Sequence, residues 1–394
     1  MSQFSGLRSR VLEAYGAKGT EIEELLLYNR NVFEQTKLRS FPQFPLPEES
    51  HIEIWSEYLN HAQKIGVFKT LKNALVQLRF PILKGVSQTQ AYRAATLKGA
   101  ETFAMSEASG LVLKQPEQLG LKIHPSLAGA IPILLPANRE DFVALVRALT
   151  KRNEPTPIPD SMGACMVGGY SNWDRIHRYR RQWTENNSHN SGEAAWKEEF
   201  GRLTAQKNLY QDRFIILSNG FYSNILPQQI DLPETTWRDL SLTIRLEHEC
   251  THYFTRRLLN SMRNNLLDEL IADYRGIVAA TGSYRADWFL RFMGLESFPD
   301  LRANGRIHNY QGETTLSKHA FTVLQSLVKA AAENIEHFDR YYRAELSIAR
   351  NQPLMLIALT RLTLEELASD QAFEKLQTTF LQLQNESLRF SVVN

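Results

Sequence analysis

Leu246-Glu247-His248-Glu249-Cys250-Thr251-His252-Tyr253-Phe254 lies in a stretch, Thr235 to Arg275, that contains neither proline nor glycine. Without a breaker, and with apolar residues recurring at helical spacing, the stretch predicts a long helix from about Thr236 to Leu259. At about 100° per residue, side chains four apart project about 40° from one another, so the imidazoles of His248 and His252 can reach one ion. Glu249 falls on the flank of that face. A carboxylate there can contact a water on the metal without itself being a ligand, which is what a general base needs. His-Glu-x-x-His on a helix is the pattern of a zinc site with an adjacent base.

Two histidines do not complete a catalytic zinc site, which takes three protein ligands, His₂Glu among the known sets. A second helix is predicted from about Leu266 to Ala280. In it Glu269 and Asp273 stand four apart on a face otherwise built of the small residues Ala272, Gly276 and Ala280, which would let the two helices approach closely. The turn between the helices is expected at Asn260-Ser261 or Asn264-Asn265, residues that favour turns and caps. Glu269 is the first candidate for third ligand. Asp268 and Asp273 are its competitors.

HExxH followed by ExxxD on the next helix resembles the gluzincin division of zinc metallopeptidases, of which thermolysin is a member. The resemblance covers roughly Asp212 to Ala280. It implies zinc held by His248, His252 and Glu269, Glu249 as the base that activates a zinc-bound water, and Asp273 as the carboxylate that orients His248. It implies a zincin-like core and cleavage of peptide bonds, with Phe214 to Leu217 as an edge strand beside the cleft. Three features depart from the pattern: only sixteen residues separate His252 from Glu269, Asp268 stands where an asparagine is familiar, and Arg245 replaces a small or branched residue. A metzincin would need glycine at 255 and histidine at 258, where the chain has Thr255 and Leu258. A di-iron carboxylate protein would need a second ExxH, and the one available, Glu48 to His51, abuts a proline-rich linker. The non-enzymatic alternative is a zincin-like binding or scaffolding protein.

After the third ligand comes Arg306-Ile307-His308-Asn309-Tyr310, where a zincin supplies a histidine or tyrosine to the developing oxyanion, so His308 and Tyr310 are the catalytic candidates. Cys165, in a Gly-rich segment, could ligate zinc as a thiolate but reads more simply as a small buried residue. Cys250 points away from the metal face and reads as core.

Around this centre the chain is ordinary globular protein: 394 residues, 43% hydrophobic and 22% charged, with a formal net charge of +2 that points to neither nucleic acid nor an anionic surface. The cation-aromatic run from Arg175 to Trp183 could meet a nucleic-acid backbone, but a solvated helix face is the simpler reading. The start lacks the apolar run of a secretory signal, no stretch approaches a bilayer span, and two cysteines cannot make a disulfide framework, so a cytoplasmic protein is expected. The expected partner is a peptide or protein substrate, with no membrane and no nucleic acid.

The fold expected is α+β and predominantly helical. Proline clusters at 42–47 and 155–159 punctuate it. Residues 1–154 are expected to form a mainly helical accessory domain with short strands near its end. A zincin subdomain with a small sheet and the metal helices is expected over 155–282, and a helical subdomain over 283–394.

Overall fold

A computed structural model describes residues 3–38, 41–189, 191–261, 265–311 and 316–393. In chain order the helices before the first strand are α1 (Gln3–Ala14), α2 (Thr20–Tyr28), α3 (His51–Ile65), α4 (Val67–Ala74) and α5 (Gln90–Lys98). Then come β1 (Gly120–His124), β2 (Ile131–Leu135), α6 (Arg139–Thr150), β3 (Ala164–Ser171), α7 (Trp173–Asn186), α8 (Glu193–Ala205) and β4 (Gln211–Leu217). The rest is helical: α9 (Glu234–Leu259), α10 (Leu266–Thr281), α11 (Ala286–Met293), α12 (Lys318–Tyr341), α13 (Arg343–Leu346), α14 (Gln352–Arg361), α15 (Leu364–Ala368) and α16 (Ala372–Val393). The expected class, α+β and mostly helical with one small sheet, is what the chain adopts. Among the described residues no helix is long and apolar enough to cross a membrane.

The chain divides into two compact units, Pro47–Gly220 and Met1–Leu46 with Phe221–Asn394. The proline-rich stretch at 42–47 falls at one division. The other proline cluster, at 155–159, is a loop joining α6 to β3 inside the first unit, since such residues also serve ordinary connections. These divisions fall elsewhere than the 154/155 and 282/283 boundaries read from the sequence.

In the unit formed by 47–220 the strands run in the order β1-β2-β4-β3, with β2 and β4 parallel and the outer pairs antiparallel. The expectation of Phe214–Leu217 as an edge strand is therefore corrected: β4 pairs on both sides. Its apolar run is fully buried, as a strand covered on both faces requires. Helices α3, α4 and α6 pack on this sheet through Trp55, Leu71, Phe142 and Leu145. Asp212 at the start of β4 is buried and accepts hydrogen bonds from Trp55 Nε1 (2.9 Å), Asn172 Nδ2 (2.6 Å) and Arg175 Nη1 (2.8 Å). Cys165 in β3 packs partly buried against the same core. Arg175, Arg178 and Arg180 of α7 are held by Asp212, by Glu57 and Asp174, and by Glu193, so much of this basic run is spent within the unit.

The unit formed by 1–46 and 221–394 contains the two helices that carry the histidine motif and its acidic partners. Among the described residues all four named strands lie in the other unit, so the expectation of sheet and metal helix in one subdomain is not met. Helix α9 closes on Asn260 at φ 55°, the left-handed conformation that asparagine tolerates, and Asn265 caps α10 by accepting from the backbone N–H of Asp268 at 2.9 Å. Both residues were expected at the turn; Asn264 lies outside the described residues. Against α9, helix α10 lies so close that a Cβ on Gly276 would sit 2.7 Å from the carbonyl oxygen of Ile244. The N-terminal helices dock on the C-terminal ones: Arg8 of α1 donates to both carboxylate oxygens of fully buried Glu365 (3.2 and 3.0 Å), and Asn29 donates to the same group.

Candidate metal centre

Helix α9 is buried along most of its length, so His248 and His252, one turn apart, lie between helices rather than in water (7% and 6% exposed). Opposite them the first turns of α10 are buried without a break from Leu266 to Tyr274, which places Asp268, Glu269 and Asp273 in the same interior. An N-terminal turn is where carboxylates gain from the unpaired backbone N–H groups and the helix dipole.

The donor atoms converge. Nε2 of His252 is 3.1 Å from Nε2 of His248, and the Glu269 carboxylate places Oε2 3.6 Å from His248 Nε2 and Oε1 3.5 Å from His252 Nε2. Three ligands at zinc bond lengths of about 2.0–2.1 Å on a tetrahedron stand about 3.3–3.4 Å apart, so the spacing suits such an ion. Among the described residues no other group of three His, Cys, Asp or Glu side chains converges in this way.

Hydrogen-bond bookkeeping fixes how His248 presents itself. Its Nδ1 is 2.7 Å from Asp273 Oδ1 and 2.9 Å from the Tyr222 hydroxyl. Tyr222 gives its one proton to Asp273 Oδ1 at 2.5 Å and accepts from Arg306 Nη1 at 2.9 Å. Neither neighbour of Nδ1 has a proton to offer it, so Nδ1 carries the hydrogen and the Nε2 lone pair faces the centre. On His252 the Asp268 carboxylate stands 3.4 Å from Nδ1, within ion-pair reach but longer than a normal hydrogen bond. Both imidazoles thus turn Nδ1 toward a carboxylate and Nε2 toward each other, the arrangement that tunes metal-ligating histidines.

The charges agree. Burial disfavours the ionised form of Glu269, yet the adjoining His252 and His248 and the guanidinium of Arg306 hold its carboxyl well below the usual range. Asp273 is likewise lowered, burial being outweighed by Arg306 and His248. Burial pushes the Asp268 carboxyl up against the pull of His252. Metal ligation takes the imidazoles in their neutral form, and the lowered carboxyls of Glu269 and Asp273 against the one guanidinium of Arg306 then leave a negative charge that a divalent cation would balance. Donor set, spacing and charge all fit a zinc-type ion.

Glu249 is partly exposed and accepts no hydrogen bond from the described residues. Its charge acts on Arg245 one turn earlier, which is buried, donates to the Phe221 carbonyl at 3.1 Å, lies over the Tyr222 ring, and has its pKa pushed down to about 10 by burial. Tyr310 is brought to the ligands: its hydroxyl donates to Glu269 Oε2 at 2.8 Å. His308 is not. It projects from the middle of the one-turn helix Arg306–Tyr310 toward Phe321, ring centroids 6.1 Å apart, while the two ends of the turn reach the carboxylates. Cys250 is buried in the helix packing, as expected.

Two residues of the centre went unassigned from the sequence, Tyr222 and Arg306. Arg306 Nη2 donates to Glu269 Oε2 (3.1 Å) and Asp273 Oδ2 (2.6 Å). Tyr222 begins a turn whose next residues, Ser223 and Asn224, sit at φ 50° and 56°. The Ser-Asn-Gly-Phe-Tyr-Ser-Asn run was the available sign of a turn, but nothing local aims its tyrosine at a histidine 26 positions later.

No curated protein and no solved structure matches the chain. A family model described as a family of unknown function (DUF7005) matches residues 10–371, a span that takes in every residue of the centre, and the chain belongs to that family.

Proposed function

We propose that this protein is a zinc-dependent hydrolase, a metallopeptidase that cleaves peptide bonds. The observation that supports this reading most is the convergence of His248 Nε2, His252 Nε2 and the Glu269 carboxylate, with Glu249, which is partly exposed, on the same helix as the histidines. These three side chains would hold the zinc ion. When bound, zinc supplies Lewis acidity, polarising a carbonyl and lowering the pKa of a water toward about 7.

The protein's own groups do the rest. Asp273 and Tyr222 fix the His248 tautomer from the Nδ1 side. A carboxylate oxygen of Glu249 takes the proton of the attacking water and delivers it to the nitrogen of the leaving amine. Arg245 lies one turn below Glu249 and interacts with it through charge. Tyr310 acts on Glu269, and His308 has no part in the reaction.

A second reading, a zinc site that joins α9 to α10 in a non-catalytic binding or scaffolding protein, draws support from the burial of the ligands, of which Glu269 exposes only 4%. Comparing the wild-type chain with Glu249→Gln against a peptide library separates the two. Zinc in both proteins with cleavage only by the wild type is the expected result. Zinc in both with cleavage by neither would leave the second reading.

A further inference from the structure

Glu269 is hydrogen-bonded in an unsymmetrical way. Its Oε2 accepts from Tyr310 Oη at 2.8 Å and from Arg306 Nη2 at 3.1 Å. A carboxylate oxygen has about two lone-pair positions, and on Oε2 both are used. Both oxygens reach the imidazoles, Oε1 at 3.5 Å from His252 Nε2 and Oε2 at 3.6 Å from His248 Nε2, so what distinguishes them is that Oε2 carries the two hydrogen bonds.

The two donors are themselves held. Arg306 is also bound to Asp273 Oδ2, to the Tyr222 hydroxyl and to Ser223 Oγ, and its guanidinium lies 5.5 Å from the Tyr222 ring centroid. The backbone carbonyl of Tyr310 accepts from the Tyr28 hydroxyl of α2 at 2.6 Å. Using Oε2 as a second ligand atom would need a lone pair now taken by Tyr310 or Arg306, and giving up a hydrogen bond to a buried group is costly in a site this dry.

We propose that Arg306 and Tyr310 are positioning residues that restrict Glu269 to a single metal-binding oxygen and thereby set which cation the centre takes. The inference rests on the metal reading of His248, His252 and Glu269, though not on hydrolysis. With one oxygen from Glu269 and one nitrogen from each histidine, the chain offers three donors. That suits zinc, which is content with four ligands. Manganese and calcium favour six or more, largely oxygen, and gain from carboxylates that chelate through both atoms. Zinc binds more tightly than manganese at most nitrogen and oxygen sites in any case. The informative quantity is therefore how the zinc-to-manganese ratio changes when the restraint is removed.

The experiment uses the full chain as wild type, Tyr310→Phe, Arg306→Gln and Arg306→Lys. Zn²⁺ and Mn²⁺ affinities are measured by chelator competition, and visible absorption is recorded on the Co²⁺-loaded proteins. The wild type should show the intense bands of low-coordinate cobalt. Tyr310→Phe removes one hydroxyl and keeps the ring, so it tests the restraint with little risk to folding. In it and in Arg306→Gln the zinc-to-manganese affinity ratio should fall about tenfold or more, and the cobalt bands should weaken as Glu269 becomes free to use both oxygens. Arg306→Lys keeps the charge without the twin donors, so it should follow Arg306→Gln.

Zinc and manganese affinities that move together, or cobalt spectra unchanged across the series, would overturn the inference while leaving the metal site standing. A wild-type chain that takes up none of the three ions would overturn the metal reading itself, and this inference with it.

Discussion

Replacing Gly276 by alanine tests whether the close approach of α10 to α9 is what assembles the centre. The added Cβ would lie 2.7 Å from the Ile244 carbonyl oxygen and 3.1 Å from its Cγ2, whereas a carbon meets a carbonyl oxygen comfortably at about 3.3 Å or more. The helices must separate by roughly half an ångström or more. Ile244 is one turn before His248, and Gly276 is three residues after Asp273, so the shift acts where His248 Nδ1 and Asp273 Oδ1 are 2.7 Å apart. Overpacking costs roughly 1–3 kcal/mol, and alanine recovers about 1 kcal/mol of helix propensity. The net is a loss of roughly 0–2 kcal/mol, read as a lowered midpoint in urea. Zinc affinity should fall by about tenfold or more, since the orienting contact is disturbed. Gly201 in α8, whose added Cβ would meet nothing within 4 Å, is the control: Gly201→Ala should gain about 0.5–1 kcal/mol. Gly276→Ala with the stability gain of the control and undiminished zinc affinity would refute the reasoning.

Three further outcomes are expected. Glu269→Gln should abolish stoichiometric zinc binding while Asp268→Asn only weakens it, measured by chelator competition; the opposite order would make Asp268 the third ligand. Chelation should lower the wild-type thermal midpoint, because an ion at about a thousand times its Kd adds about 4 kcal/mol of stability, and His252→Ala should melt at one temperature with or without chelator. Arg8→Ala should cost roughly 3 kcal/mol at neutral pH, because it strands the buried Glu365 carboxylate. Burial raises the Glu365 pKa despite the pull of Arg8, so the carboxyl gains its proton above the usual range as pH falls. The pair interaction exists only while Glu365 is ionised, and the Arg8→Ala penalty, followed by urea unfolding at several pH values, should shrink as pH falls through that raised value. A penalty that grew on acidification would contradict this sign.

What the sequence disclosed was what neighbours along the chain determine. The span of α9 follows from an unbroken run between Pro233 and the left-handed Asn260, and that of α10 from the Asn265 cap. Gly276 signalled the helix contact, and the phase of His248 and His252 follows from helix geometry alone. Contacts between distant residues were not legible. Tyr222 and Arg306 come from one-turn helices whose direction is set by what packs around them. The interior position of β4 depends on pairing with β2 and β3, which its own apolar residues permit but do not choose. The docking of α1 and α2 on the C-terminal helices rests on Arg8 meeting Glu365 across 357 positions, which no local pattern announces. His308 and Tyr310 looked equivalent in sequence, and only the direction of one helical turn separates them.

The central claim is that His248, His252 and Glu269 together hold one zinc ion. Elemental analysis of the chain purified without chelator, beside His248→Ala and His252→Ala checked for folding by circular dichroism, tests it most directly. The account predicts near one zinc per chain in the wild type and almost none in either folded variant; a folded wild type that carries no zinc and takes none up, or variants that keep it, would contradict it.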